Sequence, residues 1–380
     1  MSKWNKMKLG DIASIASSKR IFAREYQREG IPFYRGKEII EKHKGNAVST
    51  ELFISRERYE EIKNKYDVPR PGDILLSSVG TLGIPWLVDE DEFYFKDGNL
   101  TWLRCNDKTT PEFLYLWLNS AEAKNQIDAK CIGSTQKALT IETLNKFEVT
   151  LPPMDAQVKI CDTIIPISKK IDINRKINNN LEQQISALYQ SWFETFDLTD
   201  GVCPEIWSNQ ELSTIAEISS GKRPPIKAES CSKETPIPIV GAASVMGFTS
   251  KSNHTDKILV TGRVGTHGIV QRFNTPCWTS DNTLVIKSTY YEFTNQILQR
   301  IDYSAMNRGS TQPLITQGDI KKVSVLVPDT ETLSKFETFA GTMMNQWEAN
   351  KQENVELASL RDTLLPKLMS GELDVSDIDL

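Results

Sequence analysis

The sequence predicts an α+β protein of two similar mixed α/β domains separated by two long helices, which form an antiparallel coiled coil with pseudo-twofold symmetry. Three observations predict it: the chain repeats itself, each copy ends in a long heptad pattern, and each copy begins with short strands broken by turn residues.

The repeat comes first. Trp4, Leu9, Ile12, Ala13 and Ile15 recur 203 positions later as Trp207, Leu212, Ile215, Ala216 and Ile218. Val79-Gly80-Thr81-Leu82-Gly83 returns 185 later as Val264-Gly265-Thr266-His267-Gly268. Gly133-Ser134-Thr135-Gln136 returns 176 later as Gly309-Ser310-Thr311-Gln312, followed at the same offset by Thr140/Thr316, Lys146/Lys322, Val149/Val325 and Pro152/Pro328. The falling offset means that the second copy has lost loop residues. The order predicted is a first domain over 1–153, a first long helix over 154–198, a second domain over 199–329, and a second long helix with an acidic tail over 330–380.

Within each globular copy the strand signals are Ile31–Tyr34, Asp73–Leu76 and Phe93–Phe95, then Ile237–Val240 and Ile258–Val260. Helical stretches follow, Pro111 to Ile127 in the first copy and Glu292 to Tyr303 in the second. Trp4/Trp207 and Leu9/Leu212 read as core residues that open each domain.

After Pro152 the period changes. Ile160, Ile164, Ile167, Ile171, Asn174, Asn178, Leu181, Ile185, Leu188 and Trp192 alternate in steps of 4 and 3, a heptad seam. Adding 176 to each gives Phe336, Ala340, Met343, Trp347, Asn350, Asn354, Leu357, Arg361, Leu364 and Leu368, a second seam with the same two polar interruptions. Each rod is about 60 Å long at ~1.5 Å per residue. Two such seams bury their apolar faces on one another. Seam asparagines fix register at some expense in stability, so Asn174 is expected to approach Asn354 and Asn178 to approach Asn350. The coil residues singled out are Ile167, Ile171, Asn174, Asn178, Leu181, Leu188, Met343, Trp347, Asn350, Asn354, Leu357 and Leu364. Pro166 predicts a kink near Thr163 to Ile165.

Composition bounds the chemistry. The 380 residues are 39% hydrophobic and 25% charged, as in a globular protein. No apolar run is long enough to span a bilayer and the first residues carry no signal-peptide pattern, which places the chain in the cytoplasm. Six scattered cysteines and three histidines offer no metal site, so none is expected. The net charge of −5 belongs mostly to 330–380, where 10 acidic residues face 4 basic ones; 1–153 holds 23 basic against 22 acidic and 199–329 holds 13 against 12. Both globular copies are therefore free to carry basic faces.

The recurring loops combine glycine, hydroxyl and basic residues. In Ser77, Ser78, Gly80 and Thr81, and in Arg263, Gly265, Thr266 and His267, glycines let main-chain amides approach a phosphate while hydroxyls donate to its oxygens. Ser134, Thr135, Gln136 and Lys137, with Arg308, Ser310, Thr311 and Gln312, have the same chemistry, and Gln136 and Gln312 are long enough to reach a base edge. Lys19, Arg20, Arg24, Arg35 and Lys37 lie beside the first set, Lys222, Arg223 and Lys227 beside the second. Catalytic signatures are absent. Gly36-Lys37-Glu38 and Gly221-Lys222-Arg223 lack the spacing of a nucleotide-phosphate loop, and there is no [DN]PP[YF] motif. In the nearest nuclease-like set, Asp107 with Glu122-Ala123-Lys124, the last three fall on a predicted helix rather than on the strand such a site uses. No catalytic residue and no cofactor is expected in this chain.

On these residues the chain resembles the specificity subunit of type I restriction-modification systems. The resemblance is carried by Trp4, Leu9-Gly10-Asp11-Ile12-Ala13; by Gly133-Ser134-Thr135 leading through Ile141 and Leu144 to Leu151-Pro152-Pro153-Met154-Asp155-Ala156-Gln157; and by Ile177-Asn178-Asn179-Asn180-Leu181-Glu182-Gln183-Gln184 with Trp192-Phe193. The second copy departs from it with Pro328-Asp329 and no match for Gln157. The resemblance implies that each globular copy is a target-recognition domain for half of a bipartite double-stranded DNA site, with the rods as a ruler. It also implies two methyltransferase subunits and restriction/translocase subunits as partners, with S-adenosylmethionine, ATP and Mg²⁺ bound there. A rival reading is a self-sufficient DNA-modifying enzyme or nuclease with a duplicated domain.

Overall fold

The structure, a computed structural model, describes residues 4–46, 48, 50–89, 92–131, 138–306 and 314–373. It divides into two units, Met1–Lys176 with Asn350–Leu380, and Ile177–Ala349.

In the first unit the chain runs β1 (Asn5–Lys8), α1 (Leu9–Ile12), β2 (Ala13–Ala16), β3 (Ile31–Tyr34), α2 (Gly36–His43), β4 (Phe53–Ile54), α3 (Arg56–Tyr66), β5 (Ile74–Ser77), β6 (Pro85–Leu87), β7 (Tyr94–Phe95), β8 (Leu100–Cys105), α4 (Pro111–Asn119), α5 (Ala121–Cys131), α6 (Ile141–Asn145) and β9 (Glu148–Leu151), then α7 (Met154–Phe193). A four-stranded antiparallel sheet has the order β2-β8-β5-β6 and a three-stranded one β4-β3-β7, with β3 and β7 parallel. The larger sheet is buried on both faces, which explains the unbroken apolar run Ile74-Leu75-Leu76. Ile74, Leu76 and Leu103 pack with Phe113, Leu114 and Trp117 of α4, whereas Leu75, Leu100 and Trp102 pack with Phe33, Tyr94 and Phe95 of the smaller sheet. The expected single helix Pro111 to Ile127 breaks at Ser120, which takes an extended backbone (φ −72°, ψ 162°) and whose hydroxyl accepts from the Ala123 amide.

The second unit repeats this plan with β10 (Ser208–Glu211), β11 (Ala216–Ser220), β12 (Ile237–Val240), β13 (Val245–Thr249), β14 (Ile258–Gly262), β15 (Gln271–Phe273), β16 (Trp278–Thr279), β17 (Thr283–Ser288), α8 (Tyr291–Arg300), α9 (Gln317–Lys321), β18 (Ser324–Val327) and α10 (Thr330–Ser370). Its sheets have the orders β11-β17-β14-β15 and β13-β12-β16, strand for strand those of the first unit, again with one parallel pair, β12 and β16. The lost residues are helices: β12 leads through four residues to β13 where the first unit inserts α2, and among the described residues nothing matches α3 or α5. In both units the first and last strands pair antiparallel, Asn5 opposite Leu151 and Ser208 opposite Val327, immediately before a long helix.

Each unit contains the beginning of one long helix and the end of the other. In the first unit Ile160 and Ile164 of α7 share a core with Leu364, Leu368 and Met369 of α10. In the second, Ile185, Leu188 and Trp192 share one with Phe336, Ala340, Met343 and Trp347. The two helices therefore run antiparallel. Asn174 donates from Nδ2 to Asn354 Oδ1 (3.0 Å) and to Glu353 (2.6 Å), and Asn178 donates to the Trp347 carbonyl (3.0 Å). Ile171 is buried; Ile167, Leu181, Leu357 and Leu364 are half-buried. α7 is continuous through Pro166, whose ring lies on an exposed face where the missing amide bond faces water.

Candidate nucleic-acid interface

The strand orders bring the recurring loops to one end of each larger sheet. In the first unit β2 ends, β8 begins, β5 ends and β6 begins at the same end, because Ala16 pairs with Trp102, Ser77 with Leu100 and Leu76 with Pro85. Residues 17–20, 78–84 and 96–99 therefore converge. The bridge Val79–Ala138 and the Leu139 amide donating to the Ser78 carbonyl (2.9 Å) add residues 138 and 139. In the second unit the same convergence joins 221–223, 263–270 and 280–282, with the bridge Val264–Leu314 and the Ile315 amide donating to the Arg263 carbonyl (2.9 Å). Loops distant in sequence thus form one surface per unit, twice.

Several expected residues lie on this surface. Gly80 and Gly265 have φ of +81° and +85°, with open space where a Cβ would stand, so only glycine holds these turns without strain. Thr81 and Thr266 beside them are exposed, as are Lys222 and Arg223. Lys222 is anchored by its main chain: its amide donates to the Thr279 carbonyl (2.9 Å) and its carbonyl accepts from Trp278 Nε1 (2.7 Å). The Lys19 amide likewise donates to Tyr94 Oη (2.7 Å), and its ammonium lies 5.0 Å from the Tyr66 ring centre. Arg263 is half-exposed, its amide donating to the Asn282 carbonyl (2.8 Å). His267 Nδ1 lies 3.2 Å from the Gly262 carbonyl, to which it donates. Lys37 is exposed at the start of α2.

The side chains of Ser77, Ser78 and Arg35 are engaged within the fold. Ser77 and Ser78 are buried and their hydroxyls are used inside: Ser77 Oγ accepts from the Ile84 amide (2.8 Å), and Ser78 Oγ bonds Thr101 (2.6 Å) and the Leu76 carbonyl (3.2 Å). They shape the turn instead of donating to a ligand. Arg35 is turned onto the buried Glu38, Nη2 to Oε1 at 2.7 Å; burial alone would raise that carboxyl, but the Arg35 side chain and amide hold it below its ordinary value. Its guanidinium is structural. Arg20 is tied to Asp97 (2.7 Å) but stays exposed. Ser134, Thr135, Gln136, Lys137, Arg308, Ser310, Thr311 and Gln312 lie outside the described residues.

Asn99 and Asn282 are the residues that sequence reasoning missed. Their carbonyls accept from the amides of Ser78 and Arg263, both at 2.8 Å, and so set the two turns. The repeated Asp97-Gly98-Asn99-Leu100 and Asp281-Asn282-Thr283-Leu284 carried that signal. Glu122, of the nuclease-like set, accepts from Trp117 Nε1 (3.1 Å) and Thr150 Oγ1 (2.9 Å), bonds of packing. Among the described residues no group of three or more His, Cys, Asp or Glu could hold a metal ion, and no helix is long and apolar enough to cross a membrane.

The arrangement defines a class: a duplicated domain with one glycine-rich, partly basic loop surface per copy, carried on paired helices. The family model described as type I restriction modification DNA specificity domain matches residues 1–183 and 204–357, and the chain belongs to that family. It is 21% identical to the type I restriction enzyme HindI specificity subunit of Haemophilus influenzae over 98% of this chain and 100% of that one. It is 23% identical to the MjaIX specificity subunit of Methanocaldococcus jannaschii over 99% and 94%. The crystal structure of the type I restriction-modification S subunit from M. genitalium covers 97% of this chain and 96% of that one, with a TM-score of 0.65 at 18% identity, and so shares its fold.

Proposed function

We propose that this chain is the non-catalytic specificity subunit of a type I restriction-modification complex, recognising a bipartite double-stranded DNA site and directing partner methyltransferase and restriction subunits to it. The observation that carries this reading is the convergence of equivalent loops at the same sheet end in both units. Gly80, Thr81, Lys19, Arg20 and Lys37 contact one half-site, and Lys222, Arg223, Arg263, Gly265, Thr266 and His267 the other. Ser134, Thr135, Gln136 and Lys137 are assigned to DNA recognition in the first half-site, and Arg308, Ser310, Thr311 and Gln312 in the second. Phosphate contacts set position, and base-edge contacts set sequence.

The domains occupy 1–153 and 199–329, the first long helix 154–198, and the second long helix with its acidic tail 330–380. Two methyltransferase subunits dock on this frame, and S-adenosylmethionine, ATP and Mg²⁺ serve the partners. The complex works in the cytoplasm. Reading heads on one face of a duplex sit about one turn apart, ~34–36 Å. The test is to map methylated bases in cells carrying the complete system. A single split motif is expected, and Gln136→Ala with Gln312→Ala should relax the bases accepted in both halves while the spacer stays constant. Methylation that needs no partner subunit, or no split motif, overturns the reading.

A further inference from the structure

The first domain has a strut that the second lacks. Helix α2 starts beside β3 and ends against the middle of α7. The Lys44 carbonyl, at the end of α2, accepts from Arg175 Nη1 (2.8 Å), which also meets Asp172 Oδ1 at 3.4 Å. Gly45 follows at φ +73°, so close to α7 that a Cβ there would fall 2.7 Å from Asp172 Oδ1. At the same end of α2, His43 Nδ1 bonds the Pro85 carbonyl of β6 (2.7 Å), and its ring lies 6.3 Å from that of Tyr115 in α4. The strut thus links the reading sheet to the helix. It lands one residue from Asn174, which sets register through Asn354.

A helix C-terminus leaves carbonyls unpaired and favours a cation, so a guanidinium there makes a directional tie. The second domain is tied by other residues: Arg300, at the end of α8, donates from Nη2 to the Ser186 carbonyl (3.1 Å) and hydroxyl (2.9 Å) and from Nε to Glu194 (2.9 Å). The two clamps are not equivalent.

We propose that Arg175, with Asp172, is a positioning residue that fixes how the first domain is carried on α7 and thereby which spacer length the protein accepts. This inference rests on the reading that each domain contacts one half of a split site. A head held by fewer bonds samples more angles, and the duplex tolerates a base pair more or less between the halves. The bases read are set elsewhere, by the loops at the sheet end.

The test compares methylated-base maps of cells carrying the complete system with the parent chain, Arg175→Ala, Arg175→Lys, Gly45→Ala, or Lys176→Ala, the last an exposed neighbour on the same helix. With Arg175→Ala the half-site bases stay as in the parent, and sites with a spacer one base pair longer or shorter gain about three- to tenfold in methylation, the worth of a lost hydrogen bond. Arg175→Lys, which still donates to the Lys44 carbonyl, restores the parent ratio, and Lys176→Ala does not change it. If Arg175→Ala fails to assemble, Gly45→Ala, which pushes the strut off Asp172, answers by the same ratio. The proposal is overturned if the spacer stays as strict as in the parent, if the half-site bases change, or if Lys176→Ala loosens the spacer equally. A parent that methylates no split site defeats the functional reading itself, and this inference with it.

Discussion

Gln157 is a side chain with four partners. Fully buried at the start of α7, it accepts from Thr109 Oγ1 (3.0 Å) and the Thr110 amide (3.2 Å) and donates to the carbonyls of Lys108 and Pro152 (both 3.0 Å). It thereby joins the long helix to the N-terminus of α4. Gln157→Ala leaves those groups buried without partners and should lower stability by about 3 kcal/mol, read as an earlier urea midpoint. In the second unit the corresponding joint is made by Glu337, which accepts from the amides of Glu292 (3.1 Å) and Phe293 (2.8 Å) at the start of α8. Burial pushes its carboxyl up to about 7; the two amides and Arg272 oppose this, while Glu292, itself paired with Arg272 (2.6 Å), adds to it. The folded value lies above the ordinary 4.5, so the protonated form is the one the fold favours. Its stabilisation is complete below the unfolded value and is lost as pH rises through about 7. Unfolding midpoints measured from pH 4.5 to 8 should therefore fall in the parent relative to Glu337→Gln, and parallel curves would contradict this. The sequence marked Gln157 as part of a motif but not its role, because three of its four partners lie 47 to 49 residues away and follow no period. Ser77 misled for a related reason: hydroxyls read as ligand donors close a turn, and only the continuous burial of β5 through Ser77 separates the two uses.

At the scale of elements, periodicity carried the most information. The heptad steps placed both long helices and the Asn174–Asn354 contact, since a polar residue in an apolar seam must find a partner. An amide pair in an apolar seam gives register in exchange for stability, which predicts effects of opposite sign. Asn354→Leu alone removes an acceptor from Asn174, which is 1% exposed, and should destabilise by about 1–2 kcal/mol. Asn174→Leu together with Asn354→Leu should melt above the parent, because an apolar pair replaces a buried amide and its half-buried partner. Calorimetry of the three chains checks both signs. What periodicity could not show was which helices the second domain omits. A drop in repeat offset says how many residues are gone, and only the element order shows that α2 and α3 are among the helices missing.

For the molecule as a whole, an acidic chain that contacts DNA must do so locally. Affinity that comes from a few cations at two surfaces should fall with salt in proportion to their number. Lys222→Ala with Arg223→Ala in the assembled complex should reduce the slope of log affinity against log salt by about 2, with weakening of similar size across target sequences. An unchanged slope would remove these residues from the interface. The duplication was legible because matched residues at both ends of each copy are spaced alike; the convergence of loops was not, since it depends on an antiparallel strand order that no local pattern encodes. The pairing of β1 with β9 and of β10 with β18 has one more consequence. Because each head closes on its own first and last strands, its two chain ends leave side by side whatever lies between them. Such a head is an interchangeable cassette: helices such as α2 and α3 can be added or dropped, and recognition rewritten, while the supporting framework and everything that docks on it stay the same.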